Sequence, residues 1–392
     1  MKRFLFILIL SIPLLSNAQN FSNKVIVGAE QTNEYLKLLT GKRVGLLVNQ
    51  TSMIKKTHLV DSLKSRGVDI KTIFAPEHGF RGKADAGAHV ANGRDIKTGL
   101  PIISLYGKNK KPTASQLSNI DIVVFDIQDV GARFYTYIST LEYMMEACAE
   151  QGKEMLILDR PNPNGFYVDG PVLNKNFKSF VGMQSIPIVH GMTVAEYALM
   201  LNGESWLKNK AHCTLRIITC EQYTHKTLYR LPVAPSPNLR SPSAILLYPS
   251  LCLFEGTEVS VGRGTKHPFE VWGNPNYRDN GFSFTPISSF GSANPKYKNQ
   301  KCYGANLQLP PYDVLKILKG QFNLDFLKKA YSSSKHTTKF FTPFFNKLAG
   351  NSTLKQQILD KKSEAEIRAS WEPNLTKFKT IRKKYLLYED FE

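Results

Sequence analysis

Cysteine is scarce in this sequence. There are five in 392 residues (Cys148, Cys213, Cys220, Cys252 and Cys302), and none stands in a C-x-x-C pair. So few and so scattered, they exclude a disulfide scaffold and suggest no zinc site. Buried thiols are expected, although a Cys213–Cys220 bridge is conceivable from spacing. Long apolar runs are absent after the first eighteen residues, so no later segment is expected to span a membrane. Several reaction signatures are missing too. The first apolar run leads into Val48-Asn-Gln-Thr-Ser52 rather than G-x-G-x-x-G, with no glycine to admit a pyrophosphate. There is no P-loop, no G-x-S-x-G nucleophile elbow and no H-E-x-x-H. Gly262-Arg-Gly264 lacks the third glycine and the strand–helix setting of a phosphate loop. Neither a metal nor a cofactor is expected. Acidic residues are also in deficit, 32 against 51 lysines and arginines, for a net charge of +19. That balance favours acidic partners through long-range steering, or else reflects a solvated lysine-rich surface.

What is present begins with an export signal. Lys2 and Arg3 precede the apolar stretch Phe4–Leu15, and Ser16-Asn17-Ala18 supplies small residues at the −3 and −1 positions of a cleavage site. Residues 1–18 are therefore expected to be a signal peptide, with an uncleaved anchor or a buried helix as the alternative. No cysteine follows to carry a lipid. The mature protein is expected to be periplasmic or otherwise exported, with no stable membrane insertion. An exported protein meets little nucleic acid, so acidic glycans are the better match to the charge.

The remaining length, about 374 residues, suggests two domains. Arg43–Val48, Ile70–Phe74, Pro101–Leu105, Ile120–Ile127 and Met155–Leu158 are short, nearly continuous apolar runs, as in parallel strands buried on both faces. Helical patterns fall between them. His58–Lys64 is one; Thr113-Ala-Ser-Gln116 and Thr193-Val-Ala-Glu196 are capping boxes; Ile138, Leu141, Met145 and Cys148 keep helical spacing before Gly152. This alternation predicts an α/β protein with a Rossmann-like, doubly wound parallel sheet over residues 19–235. A Pro- and Ser-rich stretch, 231–250, marks the boundary to a smaller α+β domain, 236–392, with helices near 312–319 and 354–370.

Polar residues collect just after the predicted strands: Asn49 and Gln50; Glu77, His78 and Arg81; Asp126, Gln128, Asp129 and Arg133; Asp159, Arg160, Asn162 and Asn164. In open α/β sheets, ligands bind outside the carboxyl ends of the strands. With nucleotide and nucleophile signatures missing, carboxylates, arginines and amides remain, a set suited to glycoside chemistry. Glu77 is the leading carboxylate. Pro76 stiffens its approach and Gly79 permits a sharp turn; the alternative is a turn glutamate paired with Arg81 or His78. Asp126 and Asp159 are second-carboxylate candidates, and Glu255 is a third that could reach in from the other side. Tyr135 and Tyr137 offer a sugar-stacking face or simple packing.

Several of these segments carry a family resemblance. A-P-E-H-G-F-R-G (Ala75 to Gly82), F-D-I-Q-D-V-G-A-R-F-Y-T-Y-I (Phe125 to Ile138), D-R-P-N-P-N-G (Asp159 to Gly165), D-G-P (Asp169 to Pro171), H-G-M-T (His190 to Thr193), P-S-P-N-L (Pro235 to Leu239) and Y-P-S-L-C-L-F-E-G-T running into S-V-G-R-G-T (Tyr248 to Thr265) resemble the NamZ-type exo-β-N-acetylmuramidases. W-E-P-N-L and I-R-K-K-Y-L-L-Y extend the likeness to the tail. The resemblance implies an active-site cleft between the two domains, and release of terminal N-acetylmuramic acid from peptidoglycan-derived muramyl saccharides without a cofactor. It places the catalytic glutamate at Glu77 and adds His190 and Asn238 to the candidate binding residues. Muramic acid differs from glucosamine by a lactyl carboxylate, which a guanidinium matches in a bidentate way; Arg81, Arg133, Arg160 and Arg263 are the candidates. Retaining, inverting and substrate-assisted mechanisms all stay open. A non-catalytic muropeptide-binding envelope protein is the alternative function.

Overall fold

The computed structural model describes residue 21 and residues 24–81, 92–335 and 337–392. The expected signal peptide and Gly82 lie outside the described residues. Helix α1 (Thr32–Leu39) precedes strand β1 (Val44–Val48), a small hairpin of β2 (Met53–Ile54) and β3 (Thr57–His58), and helix α2 (Leu59–Ser65). Next come β4 (Ile70–Ala75), β5 (Gly93–Arg94), β6 (Pro101–Ser104), α3 (Ala114–Leu117), β7 (Ile122–Asp126), α4 (Tyr137–Glu150), β8 (Glu154–Leu158), α5 (Val194–Gly203) and β9 (Thr214–Ile218).

Seven of these strands form one sheet in the order β5-β6-β4-β1-β7-β8-β9. All its pairs are parallel except β5 with β6. The order reverses direction between β1 and β7, where Val48 pairs with Asp126. Both central strands, V-G-L-L-V and I-V-V-F-D, are buried at every position. Their side chains alternate between two cores. Leu47, Phe74, Val123, Phe125 and Ile157 point to one; Leu46, Val48, Ile73, Val124 and Leu156 point to the other. A sheet covered on both faces needs no polar alternation, which is why its strands read as unbroken apolar runs. Strand β9 escapes that reading. It closes one sheet edge, and T-L-R-I-I is only partly buried.

Both capping boxes form, Thr113 with Gln116 and Thr193 with Glu196. The Pro- and Ser-rich stretch ends in a helix. It contains α6 (Pro242–Leu251), capped by Ser241 and buried from Ser243 onward. Pro242 sits at the helix start, where a missing N–H costs nothing. Pro249 sits inside and cannot donate to the carbonyl of Ile245, four residues back. The side-chain amide of Asn164 takes that carbonyl instead, at 3.1 Å.

The C-terminal part adds β10 (Val271–Asn274), β11 (Ser283–Phe284) and β12 (Cys302–Asn306), an antiparallel sheet in the order β10-β12-β11. Helices α7 (Pro311–Leu318), α8 (Asp325–Ser333), α9 (Phe344–Ala349), α10 (Thr353–Leu359) and α11 (Glu364–Arg382) follow. The helix expected near 354–370 is two, since Ser363 and Glu366 cap a new start. The first core runs on without interruption into this part, through Leu251, Phe269, Trp272 and Phe345. All five cysteines are free and buried, so the Cys213–Cys220 bridge is not made. Among the described residues, no helix is long and apolar enough to cross a membrane.

Candidate active site

A cavity of about 760 Å³ lies between the carboxyl end of the sheet and the C-terminal part. One wall comes from the loop after β4 (Glu77, His78), from Tyr106 after β6, and from Phe134–Tyr137 at the start of α4. The facing wall holds Tyr248, Cys252, Glu255, Arg263, Phe269 and Lys296.

The turn at Glu77 is tight. Its amide geometry closes with Gly79 N–H donating to Pro76 C=O at 3.0 Å. His78 and Gly79 are both left-handed, φ 69° and 75°. A glycine adopts that conformation freely, whereas histidine is strained there, a cost tolerated where the surroundings impose it. Two hydroxyls hold the Glu77 carboxylate. Tyr106 donates to Oε1 and Thr136 to Oε2, each at 2.9 Å. Burial, then the Glu77 charge, pushes the Tyr106 hydroxyl well above the ordinary phenol range, so it stays a donor.

On the facing wall, Arg263 donates from Nε to Glu255 Oε1 at 2.6 Å. Its guanidinium lies 5.0 Å over the Phe269 ring. Neither terminal nitrogen of Arg263 makes a hydrogen bond within the described residues. Lys296 donates to the carbonyls of Thr257 and Val259 at 2.6 and 3.2 Å, and burial lowers its pKa. Tyr135 joins the two walls, with its ring edge-on to Tyr137 at 4.9 Å and to Tyr248 at 5.6 Å.

Of the residues singled out in the sequence, Glu77, His78, Tyr135, Tyr137, Glu255 and Arg263 line this cavity. Asn238 stands one layer back, donating to Gly291 C=O at 2.7 Å and so fixing a cavity loop. The others are engaged elsewhere. Arg81 forks onto Asp95, from Nη2 to both oxygens at 2.9 Å and from Nε to Oδ1 at 3.3 Å. Arg160 clasps Asp126 at 2.5 and 3.0 Å, and both residues are buried. Asn49 accepts from the Thr51 backbone and hydroxyl, Ser52 donates to the Asp126 carbonyl, and Thr51 receives Gln128 N–H. The segment after β1 therefore fills the crevice at the β1–β7 reversal, where the crevice rule puts a ligand. Gln50 and Gln128 bond to backbone carbonyls at Pro235 and Pro161.

Arg133 meets no carboxylate. It donates to the carbonyls of Pro171, Ile186 and Leu348 at 2.8, 2.9 and 2.8 Å, and burial lowers its pKa to about 9. Asp159 accepts from Tyr388 at 2.6 Å and from Ala195 N–H at 3.1 Å, and burial raises it to about 6. Asn162 donates to Met192 C=O at 2.8 Å. His190 accepts from Met192 N–H and is held neutral, its pKa lowered by burial to about 3. Sequence reasoning missed Tyr106, Thr136 and Lys296. Tyr106 directly follows the third apolar run and Thr136 sits inside a quoted motif, so the strand-end argument could have reached both; Lys296 had no local signal.

Two family models match the chain: the N-terminal model of the exo-beta-N-acetylmuramidase NamZ over residues 44–243, and its C-terminal model over 246–388. The chain belongs to this family. It is 38% identical over 374 residues to the peptidoglycan beta-N-acetylmuramidase NamZ of Bacillus subtilis (strain 168), an alignment covering 91% of this chain and 89% of that protein. Among solved structures, a DUF1343 family protein from Bacteroides fragilis NCTC 9343 is 48% identical with a TM-score of 0.86, covering 93% of this chain and 99% of that one. A second from the same strain is 28% identical with a TM-score of 0.73, at the same coverage of 93% and 99%.

Proposed function

We propose that the protein is an exo-acting β-N-acetylmuramidase that releases terminal N-acetylmuramic acid from peptidoglycan fragments, using the cavity around Glu77. The observation that carries this reading is the pairing of two unlike walls: a carboxylate held by two hydroxyls faces a carboxylate–arginine pair. Glycoside hydrolysis asks for carboxyl groups on two sides of one bond. Glu77 is the reacting carboxylate. Tyr106 and Thr136 fix its rotamer, so its oxygens meet substrate in one orientation. Glu255 is the second carboxyl of the site, oriented by Arg263. Family membership and the likeness to the B. subtilis enzyme support the substrate class.

Arg263 suits the lactyl carboxylate best. Arg81 and Arg160 are spent on aspartates and Arg133 on carbonyls. Arg263 keeps both terminal nitrogens for a bidentate contact. The aromatic faces of Tyr135 and Tyr248 give the sugar ring an apolar floor. The strand order fits a Rossmann-like, doubly wound catalytic domain over 19–235, with 236–392 completing the cleft. Removal of a signal peptide at residue 18 would deliver the enzyme to the compartment that holds its substrate.

Glu77→Gln should lower turnover of a chromogenic β-N-acetylmuraminide by about 10²–10⁴-fold while leaving the fold intact. Near-normal turnover would sink the assignment. Binding of disaccharide fragments by the unsubstituted protein, with no sugar released, would mark a non-catalytic binding protein instead. The matching glucosaminide should be a far poorer substrate, and Arg263→Lys should narrow that gap; equal rates on both sugars in the unsubstituted enzyme would remove Arg263 from this role.

A further inference from the structure

Among the described residues, two left-handed residues other than glycine are buried, and both line the cavity. One is His78, in the Glu77 turn; the other is Phe269, on the facing wall, with φ 61°. The remaining left-handed residues are exposed or half-buried. Left-handed backbone is costly for a bulky side chain. It persists where the surroundings over-determine it, and such strain gathers at functional sites.

The surroundings of Phe269 form a braced loop. Its N–H donates to Val261 C=O at 2.8 Å and closes residues 262–268 just ahead of β10. Thr265 ties the loop from inside. Its N–H and hydroxyl both donate to Gly262 C=O, at 3.0 and 2.7 Å, and its hydroxyl accepts His267 N–H at 3.0 Å. Arg263 stands between Gly262 and Gly264, left-handed at 75° and 82°. A Cβ on Gly262 would lie 2.5 Å from the Val271 side chain, and one on Gly264 2.5 Å from Ile287 C=O. The turn that presents Arg263 therefore has no room for a side chain on either flank.

The Phe269 ring, fully buried, lies 5.0 Å beneath the Arg263 guanidinium. Tyr248 packs edge-on to that ring at 5.1 Å, and Tyr135 to Tyr248 at 5.6 Å, so an aromatic row backs it across the cavity. Arg263 is thus held twice. Glu255 takes Nε with an in-plane bond, and the ring supports one face. With Nε and a face both fixed, the terminal nitrogens keep one heading. A residue of ordinary φ at 269 would send its side chain in another direction, so the strain is what sets the ring under the cation.

We propose that Phe269 is a positioning residue for sugar specificity, acting through Arg263, and that its backbone strain holds the guanidinium in register with the acidic substituent of the sugar. The proposal rests on the reading of Arg263 as the group that meets the lactyl carboxylate.

Phe269→Leu keeps apolar bulk and removes the aromatic face. It should raise KM for the chromogenic muraminide about 2–10-fold, with kcat changing less. Its kcat/KM on the matching glucosaminide should not move. In an Arg263→Ala background the same substitution should add nothing. Equal losses with and without Arg263, or equal losses on both sugars, overturn the proposal and leave the muramidase reading standing. Two measurements need no turnover. A crystal structure of Phe269→Leu should show the guanidinium swung from its place; an unmoved guanidinium overturns the proposal even if neither sugar is cleaved. Phe269→Gly should melt at a higher temperature than Phe269→Ala, because both lose the ring and only alanine is strained there. A lower midpoint for the glycine variant overturns the role of strain. Should Phe269→Leu fail to fold, Phe269→Met carries the same kinetic and crystallographic tests.

Discussion

The end of β4 and the end of β7 carry the same kinds of residue and do opposite things with them. At the end of β7, Asp126 gives both oxygens to Arg160, and at the end of the neighbouring β1 Asn49 accepts within its own turn. At the end of β4, a tyrosine and a threonine hydroxyl donate to the two oxygens of Glu77 and orient its carboxylate. Strand ends of like composition thus differ in the donors that reach their carboxylates, an arginine at Asp126 and two hydroxyls at Glu77.

Substitutions should break this comparison in opposite directions. Glu77→Gln should give the largest kinetic effect, the loss already stated, with little change in thermal midpoint. Asp126→Ala should do the reverse, leaving the Arg160 cation buried and unpaired at a cost of about 3–5 kcal/mol, readable from urea unfolding. If Asp126→Ala kept full stability and lost only turnover, the two strand ends would have to exchange roles.

A smaller effect is expected at Asn164, whose amide serves both Val130 C=O and the Ile245 carbonyl that Pro249 leaves open. Asn164→Ala should cost about 1–3 kcal/mol by orphaning buried carbonyls. Restoring the helical donor with Pro249→Ala in the same chain should recover part of that loss, and a purely additive double variant would argue against the link.

The smallest effect concerns pH. Glu142 is buried against Gln184 and Tyr197, and burial raises its carboxyl to about 7. The folded state then binds a proton that the unfolded state releases at the ordinary glutamate value. The stability contributed is fully present below about 4.5 and is lost as pH rises through about 7. Glu142→Gln should flatten the fall in thermal midpoint across that window. An unchanged slope would assign it to Asp159, which burial raises to about 6.

Much of the fold was legible, because strands buried on both faces leave continuous apolar runs and capping boxes leave paired side chains. What escaped has physical causes. Strand β9 is half exposed at an edge, and α6 carries two prolines whose usual penalty is removed by position or by Asn164. For the candidate site, Glu77 and Arg263, which line the cavity, could be named from residue type and place. Asn49, Asp126 and Arg160 looked equally suitable, since partners chosen across 34 residues of chain, as Arg160 chooses Asp126, leave no local mark. Tyr106 and Thr136 were passed over for a related reason: a neutral hydroxyl attracts no notice until the carboxylate it holds is seen.

Arg133 has a consequence for how the molecule comes apart. Its guanidinium reads three carbonyls, and one of them, Leu348, belongs to the C-terminal part. Together with the amide of Asn164 reaching Ile245, it stitches across the point where the two family models meet. Neither half expressed alone could satisfy the groups it presents to the other. The seam visible in the sequence is therefore no fault line, and heat should melt the whole chain as one body.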